Sequence, residues 1–423
     1  MHSVLLLRSA ILRILNLSTA DYGGAGSAAL RIHNALQQSK FESILLVKHK
    51  KSSNKDVYEL RNSNFWMTPL NVCRRLLNHL IFKRQYQMFG ALPVMRPGII
   101  KKLNTLNFSP DIVMVHWISN FIDIDEIHRI KKEYQCSLIF YFMDMANFTG
   151  GCHFSSGCTR YEQGCTDCPA ERGIFKFGFP RRNIQKKITL INDGNVSALA
   201  PNQFVSEQVR LSKLFRGACN VAYLPIDPAI FFSRTEVSDE GGKIKILFGS
   251  SDLNFGRKGG DLLLKMLKIF DELARDNNIK KHVEVIIPGL ASSADMQGVH
   301  YSLVSVAVAV GDKALSDLYR QVDLFICCSR EDSGPMMVSE SMMSGVPVLA
   351  FEVGICPELI NDGVNGFLVK NYDYLQMAKK LLQIAQMDNS TLGSLKQGAL
   401  NTALLHMTPN VFQEKIYQIV KVN

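Results

Sequence analysis

The stretch LFICCSREDSGPMMVSESMMSGVPVLAF, residues 324–351, decides how this chain is read. Its opening, 324–328, is a short apolar run with the length and bounding of a buried strand. A polar, glycine-containing loop follows at 329–335, and then a helix candidate at 336–343. Gly345 serves as a C-terminal stop, and Val346–Pro347 lead into a second apolar strand at 348–351. Strand, tight loop, helix and strand is the order in which open α/β sheets carry a ligand at the carboxyl ends of their strands. Backbone N–H groups at the start of that helix, near Gly334, suit an anion.

Two acids, Asp332 and Glu340, bracket the loop and the helix. Carboxylates accept paired hydrogen bonds, so two acids placed in this way suit the vicinal hydroxyls of a sugar. A plainer reading fits the same spacing: one acid favouring the helix dipole, and one solvated Glu.

The segment SREDSGPMMVSESMMSGVPVLAF resembles the E-x7-E segment of retaining glycosyltransferases of family 4, in their surface-polysaccharide (colanic-acid and capsule) branch. The resemblance implies an α/β protein of GT-B architecture, with two Rossmann-like doubly wound domains facing across a cleft. Glu340, with Gly345 and Pro347, falls where the family has its second Glu, which binds the nucleotide ribose. Asp332 falls on the first Glu, beside Glu331, where the family contacts the donor sugar; the shorter acid is a departure. Ser333 and Gly334 are then implied on the donor side.

A chain of 423 residues is long enough for two domains of ordinary size. With 47% hydrophobic and 20% charged residues it forms a core and is not a disordered chain. No run reaches the roughly 18 apolar residues of a membrane span. The N-terminal MHSVLLLRSAILRILNL is broken by Arg8 and Arg13 and reads as a leader into a first strand rather than a signal peptide. The net charge is +10, with basic clusters at Lys48, Lys50, Lys51 and Lys55, at Arg74, Arg75, Lys83 and Arg84, at Lys101 and Lys102, and at Arg181, Arg182, Lys186 and Lys187. Their concentration in the first half suits an anionic membrane surface; an ordinary solvated surface is the bland alternative. No motif interleaves aromatics with these charges, so nucleic acid is not expected as a partner. Residues 66–84 mix apolar and basic positions, as in an interfacial helix or an internal helix with snorkelling cations.

Along the chain, 11–17 reads as the first strand, leading through a turn that holds Gly23, Gly24 and Gly26 to a helix at 27–36. In the family it resembles, this loop helps enclose the donor, so Gly23 and Gly24 are candidate donor residues. His116 follows a strand at 111–115. A lone His there is commonly a satisfied hydrogen-bonding residue, yet a strand's carboxyl end is where ligands bind. His116 is therefore a candidate catalytic residue.

The segment YFMDMANFTGGCHFSSGCTRYEQGCTDCP, 141–169, holds Cys152, Cys158, Cys165 and Cys168, with His153 beside the first. Cys165-x2-Cys168 is half of a zinc knuckle, although the spacing of the other pair is less usual. A structural zinc on the four thiols competes with plain thiols or disulfides holding a loop. The other cysteines are scattered, as in a reducing compartment. This segment resembles the family's HDMWxFTGGCH…C…C..CP stretch. The family's His beside the donor sugar falls on Met143, a departure, and its Asp falls on Asp144, the remaining catalytic candidate.

Lys258-Gly259 resembles the family's K-G pair, whose Lys contacts the donor diphosphate; a Lys at a helix start otherwise opposes the dipole. Arg257 stands in for an Arg the family carries earlier. The polar run 235–243 reads as a linker. The expected domains are 1–235, with the Cys-rich loop at 150–170, then 236–404, then a terminal helix at 405–423 that crosses back to the first domain.

The resemblance implies a retaining transferase moving a hexose from a nucleotide-diphosphate sugar to a glycan or lipid-linked acceptor, on the cytoplasmic face of the membrane and without a catalytic metal. An epimerase or hydrolase of the same fold, or a catalytically impaired lipid- or anion-binding relative, are the alternatives.

Overall fold

The computed structural model describes residues 11–38, 41–60, 67–88, 92, 98–173, 176–233, 243–250, 253, 256–289, 294–295 and 299–422. The leader at 1–10 and, apart from Lys243, the linker at 235–243 lie outside them.

The chain divides into two compact units, Met1–Tyr223 with Phe412–Asn423, and Leu224–Val411. The first boundary therefore falls some residues before the polar run in which the sequence places it. Side-chain packing explains the difference. The Phe231 ring lies 6.4 Å from that of Tyr319, Arg320 covers Phe232 at 4.2 Å, and Ile226 N–H donates to Met407 O at 2.7 Å. All of these groups belong to the second unit. At the other end, Phe412 meets Tyr141 at 6.1 Å and Gln413 Nε2 donates to Ala35 O at 2.6 Å, so this terminal segment joins the first unit.

The first unit alternates strands and helices in chain order: β1 (Leu12–Ala20), α1 (Gly23–Gln37), β2 (Phe41–His49), β3 (Val57–Glu59), α2 (Met67–Ile81), α3 (Ile99–Thr105), β4 (Ile112–Val115), α4 (Ile124–Tyr134), β5 (Ser137–Tyr141), α5 (Phe179–Asn192), β6 (Val196–Ala200), α6 (Gln203–Ser212) and β7 (Asn220–Val221). All pairings are parallel, in the order β3-β2-β1-β4-β5-β6-β7. Every residue of β4, IVMV, is buried, as a strand covered by helices on both faces requires. The order reverses between β1 and β4, and outside the carboxyl ends of those two strands a doubly wound sheet binds ligands.

The second unit continues with β8 (Lys243–Phe248), α7 (Gly260–Asp276), β9 (His282–Pro288), β10 (Ala294–Asp295), β11 (Tyr301–Val306), α8 (Asp312–Tyr319), β12 (Leu324–Cys327), α9 (Met336–Met343), β13 (Val348–Phe351), α10 (Cys356–Leu359), β14 (Gly366–Val369), α11 (Tyr374–Gln386) and α12 (Asn389–His406). The final helix, α13 (Pro409–Val422), begins at the return to the first unit. Its sheet runs β10-β11-β9-β8-β12-β13-β14, parallel except for β10. Here the order reverses between β8 and β12, and β12, α9 and β13 together make up the stretch 324–351.

One expectation is corrected. The glycine-rich stretch before 27 is not a loop leading to a helix but the first turn of α1 itself, which starts at Gly23. A Cβ at Gly26 would sit 2.7 Å from Ala20 O, so only glycine lets the helix begin hard against the end of β1.

Candidate functional site

In the second unit the chemistry collects at the carboxyl ends of β8 and β12. A short 3-10 turn, Gly256–Lys258, precedes α7. Gly259 follows at φ +73, and a Cβ there would fall 1.9 Å from Cys328 O. Glycine thus lets α7 start against the end of β12, and this brings Lys258 to the loop after that strand. Lys258 Nζ donates to Asp332 Oδ2 at 2.8 Å, and Arg257 donates to the same oxygen at 2.9 Å. Asp332 Oδ1 accepts the Gly334 N–H at 3.2 Å. Burial pushes the Asp332 carboxyl up, but the Lys258 and Arg257 charges outweigh it and hold the group below the ordinary carboxylate value. Lys258 therefore sits at a helix start against its dipole because a carboxylate 74 residues later compensates it.

Ser333 and Gly334 form the loop that enters α9, whose N-cap is Pro335. The first-turn N–H groups of a helix have no partner four residues back, and here that turn adjoins Lys258 and Arg257 through Asp332. A small cleft lined by Gly249, Lys258, Ser329, Pro335 and Met337 opens at this point. Cations and a helix N-terminus together suit a phosphate group. Glu340, on α9, is 1% exposed and accepts a hydrogen bond from Tyr319 Oη at 2.7 Å. Tyr319, itself fully buried, was not singled out by the sequence, because its partner lies 21 residues on and in another helix.

In the first unit, Gly23 and Gly24 at the start of α1 and the residues after β4 share one edge: Thr19 N–H donates to Trp117 O at 2.6 Å, and Thr19 Oγ1 to Ser119 O at 2.8 Å. His116 does not face this edge. Its ring has 0% exposure, and Nε2 lies 2.9 Å from Asn16 Oδ1. The Asn16 amide nitrogen donates to Ser43 Oγ at 2.9 Å and Ile44 O at 3.3 Å, so its oxygen is the acceptor and His116 carries its proton on Nε2. Ser43 Oγ in turn meets His33 Nδ1 at 2.9 Å. A buried chain of four polar side chains thus crosses β1. Burial pushes His116 down to about 3, with His33 adding to the effect, and pushes His33 down to about 4. The assignment of His116 as a catalytic group is corrected accordingly: as placed, it is a neutral core residue with no surface for a substrate.

Asp144 follows β5 and is 2% exposed. Its Oδ1 accepts the Ala146 N–H at 2.9 Å, and its Oδ2 lies 2.6 Å from His153 Nδ1. His153 reads in sequence only as a neighbour of Cys152. No periodicity announces its pairing, which depends on the loop folding back on itself.

The cysteine loop contains no disulfide. Burial pushes the Cys152 thiol up to about 12 and Cys168 up to about 11, with neighbouring thiols contributing less. Cys165 Sγ accepts the Gly150 N–H at 3.1 Å and Cys152 Sγ donates to Thr149 Oγ1 at 3.2 Å. Among the described residues no three His, Cys, Asp or Glu side chains are gathered as a metal ion requires. Cys152 has Cys165 and Cys168 as electrostatic neighbours, and Cys168 has Cys165 and Cys158, so the four thiols of the zinc expectation lie in one loop.

Several of the basic residues are engaged internally. Lys48 Nζ donates to Asn120 O at 2.6 Å, Lys50 to Asn54 O and Val57 O, and Lys186 pairs with Asp125. Lys187 is buried altogether. A separate cavity of about 700 Å³, at the amino ends of β6 and β7, is lined among others by Asn195, Arg216 and Lys415. None of its lining residues is an acid, a thiol or an imidazole, and it lies away from the strand ends where the paired groups collect.

Residues 255–397 match the family model for glycosyl transferases group 1. The chain is 21% identical over 376 residues to a colanic acid biosynthesis glycosyl transferase of Escherichia coli strain K12, covering 84% of this chain and 87% of that one. It is 32% identical over 161 residues to a 41.2 kDa protein of the cps region of Klebsiella pneumoniae, covering 38% and 40%. Among solved structures, the Anabaena protein HepE in complex with UDP and glucose superposes with a TM-score of 0.62 at 13% identity, over 97% of this chain and 99% of that one. The architecture is GT-B, and the chain is a glycosyltransferase.

Proposed function

We propose that this glycosyltransferase moves a hexosyl group, with retention, from a nucleoside-diphosphate sugar to a glycan or lipid-linked acceptor in surface-polysaccharide assembly. The observation that carries the reading is the Lys258–Asp332–Arg257 cluster beside the first turn of α9. Two cations at a helix N-terminus offset the charge of a departing diphosphate without a metal. The colanic-acid name of the Escherichia coli relative and the UDP and glucose of the HepE structure support donor and pathway class. In this reading Asp332 faces the donor sugar and Glu340 the ribose. Turnover of nucleoside-diphosphate hexoses with and without a crude lipid-linked acceptor tests it: product that forms only with acceptor is expected. Turnover that ignores acceptor would instead indicate a hydrolase or epimerase.

Glu340→Gln keeps an acceptor for Tyr319 but removes the charge, and is expected to weaken UDP or GDP binding by about 1–3 kcal/mol with the fold intact. Calorimetry with unchanged affinity for both would refute the ribose role.

Membrane association on the cytoplasmic face is proposed through α2. Val72, Leu76 and Leu80 stand on one helical stripe, with Leu76 at 58% and Leu80 at 63% exposure, and exposed Lys83 and Arg84 follow the helix. Among the described residues no helix is long and apolar enough to cross a membrane. Leu76→Glu with Leu80→Glu is expected to reduce sedimentation with anionic vesicles by about tenfold, and salt to release the wild type only in part. Unchanged sedimentation would remove α2 from the contact.

The thiol loop is proposed to hold its shape by packing. Metal analysis should find no stoichiometric zinc, and a chelator should leave the melting temperature unchanged. One zinc per chain would restore the metal reading.

A further inference from the structure

The cavity of about 700 Å³ at the amino ends of β6 and β7 has no part in the chemistry described so far. In a sheet whose pairings are all parallel, the carboxyl ends of the strands share one edge and the amino ends the other. Five residues of β6 therefore keep the cavity roughly 16 Å from the carboxyl edge, at about 3.3 Å per residue. Its volume lies within the roughly 300–1,000 Å³ of small-molecule sites.

Three segments build the wall. The carboxyl end of α5 and the turn after it bring Asn192 and Asn195, the connection from α6 to β7 brings Phe215 and Arg216, and α13 brings Lys415 and Gln418. Lys415 and Gln418 stand three apart and so share a face of their helix. The core holds the other two segments in place. Asn195 O accepts the Leu138 N–H at 2.9 Å, and the Phe215 ring meets Phe140 and Phe142 edge-on at 6.0 and 5.5 Å.

None of the lining residues is an acid. Among the described residues, neither Arg216 nor Lys415 forms an ion pair, and the side-chain amides of Asn192, Asn195 and Gln418 have no hydrogen-bond partner. Elsewhere in this unit Lys186 pairs with Asp125 and Arg210 with Glu207. Two uncompensated cations around a concavity attract anions. Each amide offers one acceptor and two donor hydrogens, which suits the hydroxyls of a sugar, and Phe215 adds an apolar wall. The carboxyl end of α5 carries partial negative charge, so a compact diphosphate is poorly served here. An extended anion with its charges spaced among hydroxyls is better served, because those hydroxyls can donate to the helix-end carbonyls. A lipid surface is also a poorer fit, since the cations stand in a recess and the exposed leucines Leu76 and Leu80 belong to α2.

We propose that this cavity is a second carbohydrate site, which binds an acidic glycan through Arg216 and Lys415 and is separate from the residues assigned to the donor. The inference rests on the transferase reading only in taking a glycan as the ligand. There the acceptor is a growing polymer, and a hold on it away from the reacting end keeps the chain on the enzyme between additions.

Calorimetry with hexagalacturonate, phosphorylated maltohexaose and neutral maltohexaose tests it, on wild type, on Arg216→Ala with Lys415→Ala, and on Gly217→Trp. A Cβ added at Gly217, in the cavity wall, meets nothing within 4 Å, so the larger side chain occupies the cavity without disturbing the fold. Wild type is expected to bind an acidic hexasaccharide at least about tenfold more tightly than maltohexaose, and whichever acidic one binds identifies the anion as carboxylate or phosphate. Both variants lose about tenfold or more of that affinity and keep the melting temperature and UDP affinity of wild type. In transfer assays they raise KM for a lipid-linked glycan acceptor and leave KM for the sugar nucleotide unchanged. Equal affinity for acidic and neutral hexasaccharides, or binding of none of the three, overturns the proposal. So does a double variant that binds the glycan as wild type does but no longer sediments with anionic vesicles, which would make the two cations a lipid contact. Glycan binding with these variant effects, in a protein that transfers from no donor, would refute the transferase reading and still support this site.

Discussion

Asp332→Asn is expected to tighten UDP binding while it lowers transfer, whereas Lys258→Ala should weaken both. The opposite signs follow from the shared oxygen. Asp332 Oδ2 receives Lys258 at 2.8 Å and Arg257 at 2.9 Å, so one carboxylate partly neutralises two cations. Both cations are mostly covered, at 27% and 22% side-chain exposure, so their charges are less screened than those of a surface pair. Removing the carboxylate charge leaves both to meet an incoming diphosphate, and about 1–2 kcal/mol of added affinity, or roughly 5–30-fold, is the scale of such a change. Removing Lys258 subtracts one of the two cations and costs a similar amount. Transfer falls about 100-fold in either case, because charge developing on the leaving diphosphate, or the geometry at the sugar, is no longer matched. Calorimetry with UDP alongside single-turnover transfer separates the two effects. If Asp332→Asn weakens UDP as much as Lys258→Ala does, the acid touches the nucleotide directly and the account of it as a counter-ion is wrong.

Acidification is expected to destabilise the first unit steeply, well above the pH at which carboxylates titrate. His116 and His33 are pushed by burial to about 3 and about 4, while in the unfolded chain each returns to about 6.5. Between pH 4 and 6.5 the unfolded chain therefore binds protons that the folded one does not. Where the unfolded state binds more protons, stability rises with pH, so here it is lost as pH falls below 6.5. Each histidine contributes a slope of up to about 1.4 kcal/mol per pH unit, and from pH 7 to pH 5 the pair removes on the order of 4 kcal/mol. Trp66 and Trp117 both belong to the first unit, so denaturant curves followed by tryptophan fluorescence report on it. His33→Gln will shift the absolute stability through the hydrogen bond to Ser43, but its distinguishing effect is on the slope, which should fall by about half. A slope identical to wild type would mean that His33 titrates normally in the folded state.

The stretch 324–351 was legible in the sequence because everything that shapes it is local. Apolar runs with glycine and proline punctuation mark β12, α9 and β13, and the helix spans Met336–Met343 as its pattern requires. The terminal helix, expected at 405–423 and found at Pro409–Val422, was legible for the same reason. The first turn of α1 was not, because glycines that read as a loop also permit the close approach of Gly26 to Ala20, a contact that only the packed helix makes. The domain boundary was misplaced by the pull of a polar run, while the aromatic contacts of Phe231 and Phe232 assign their segment to the second unit.

Residue types at the candidate site belonged to the sequence, and their partners to the tertiary structure. Asp332, Glu340, Lys258 and Asp144 can be picked out by spacing and resemblance. That Asp332 is held by Lys258 from 74 positions away, Glu340 by Tyr319 from 21 and His116 by Asn16 from 100 cannot be, since spacing along a chain carries no information about side chains brought together by strand order. Even the separation of nine positions between Asp144 and His153 was too long, because their loop has neither helical nor strand period, and its path is set by Lys187 reaching in from α5. Local pattern fixes where a strand ends. Which charge waits beside that end is decided by the reversal of strand order at β1–β4 and β8–β12, where chain segments far apart in sequence finish at the same edge.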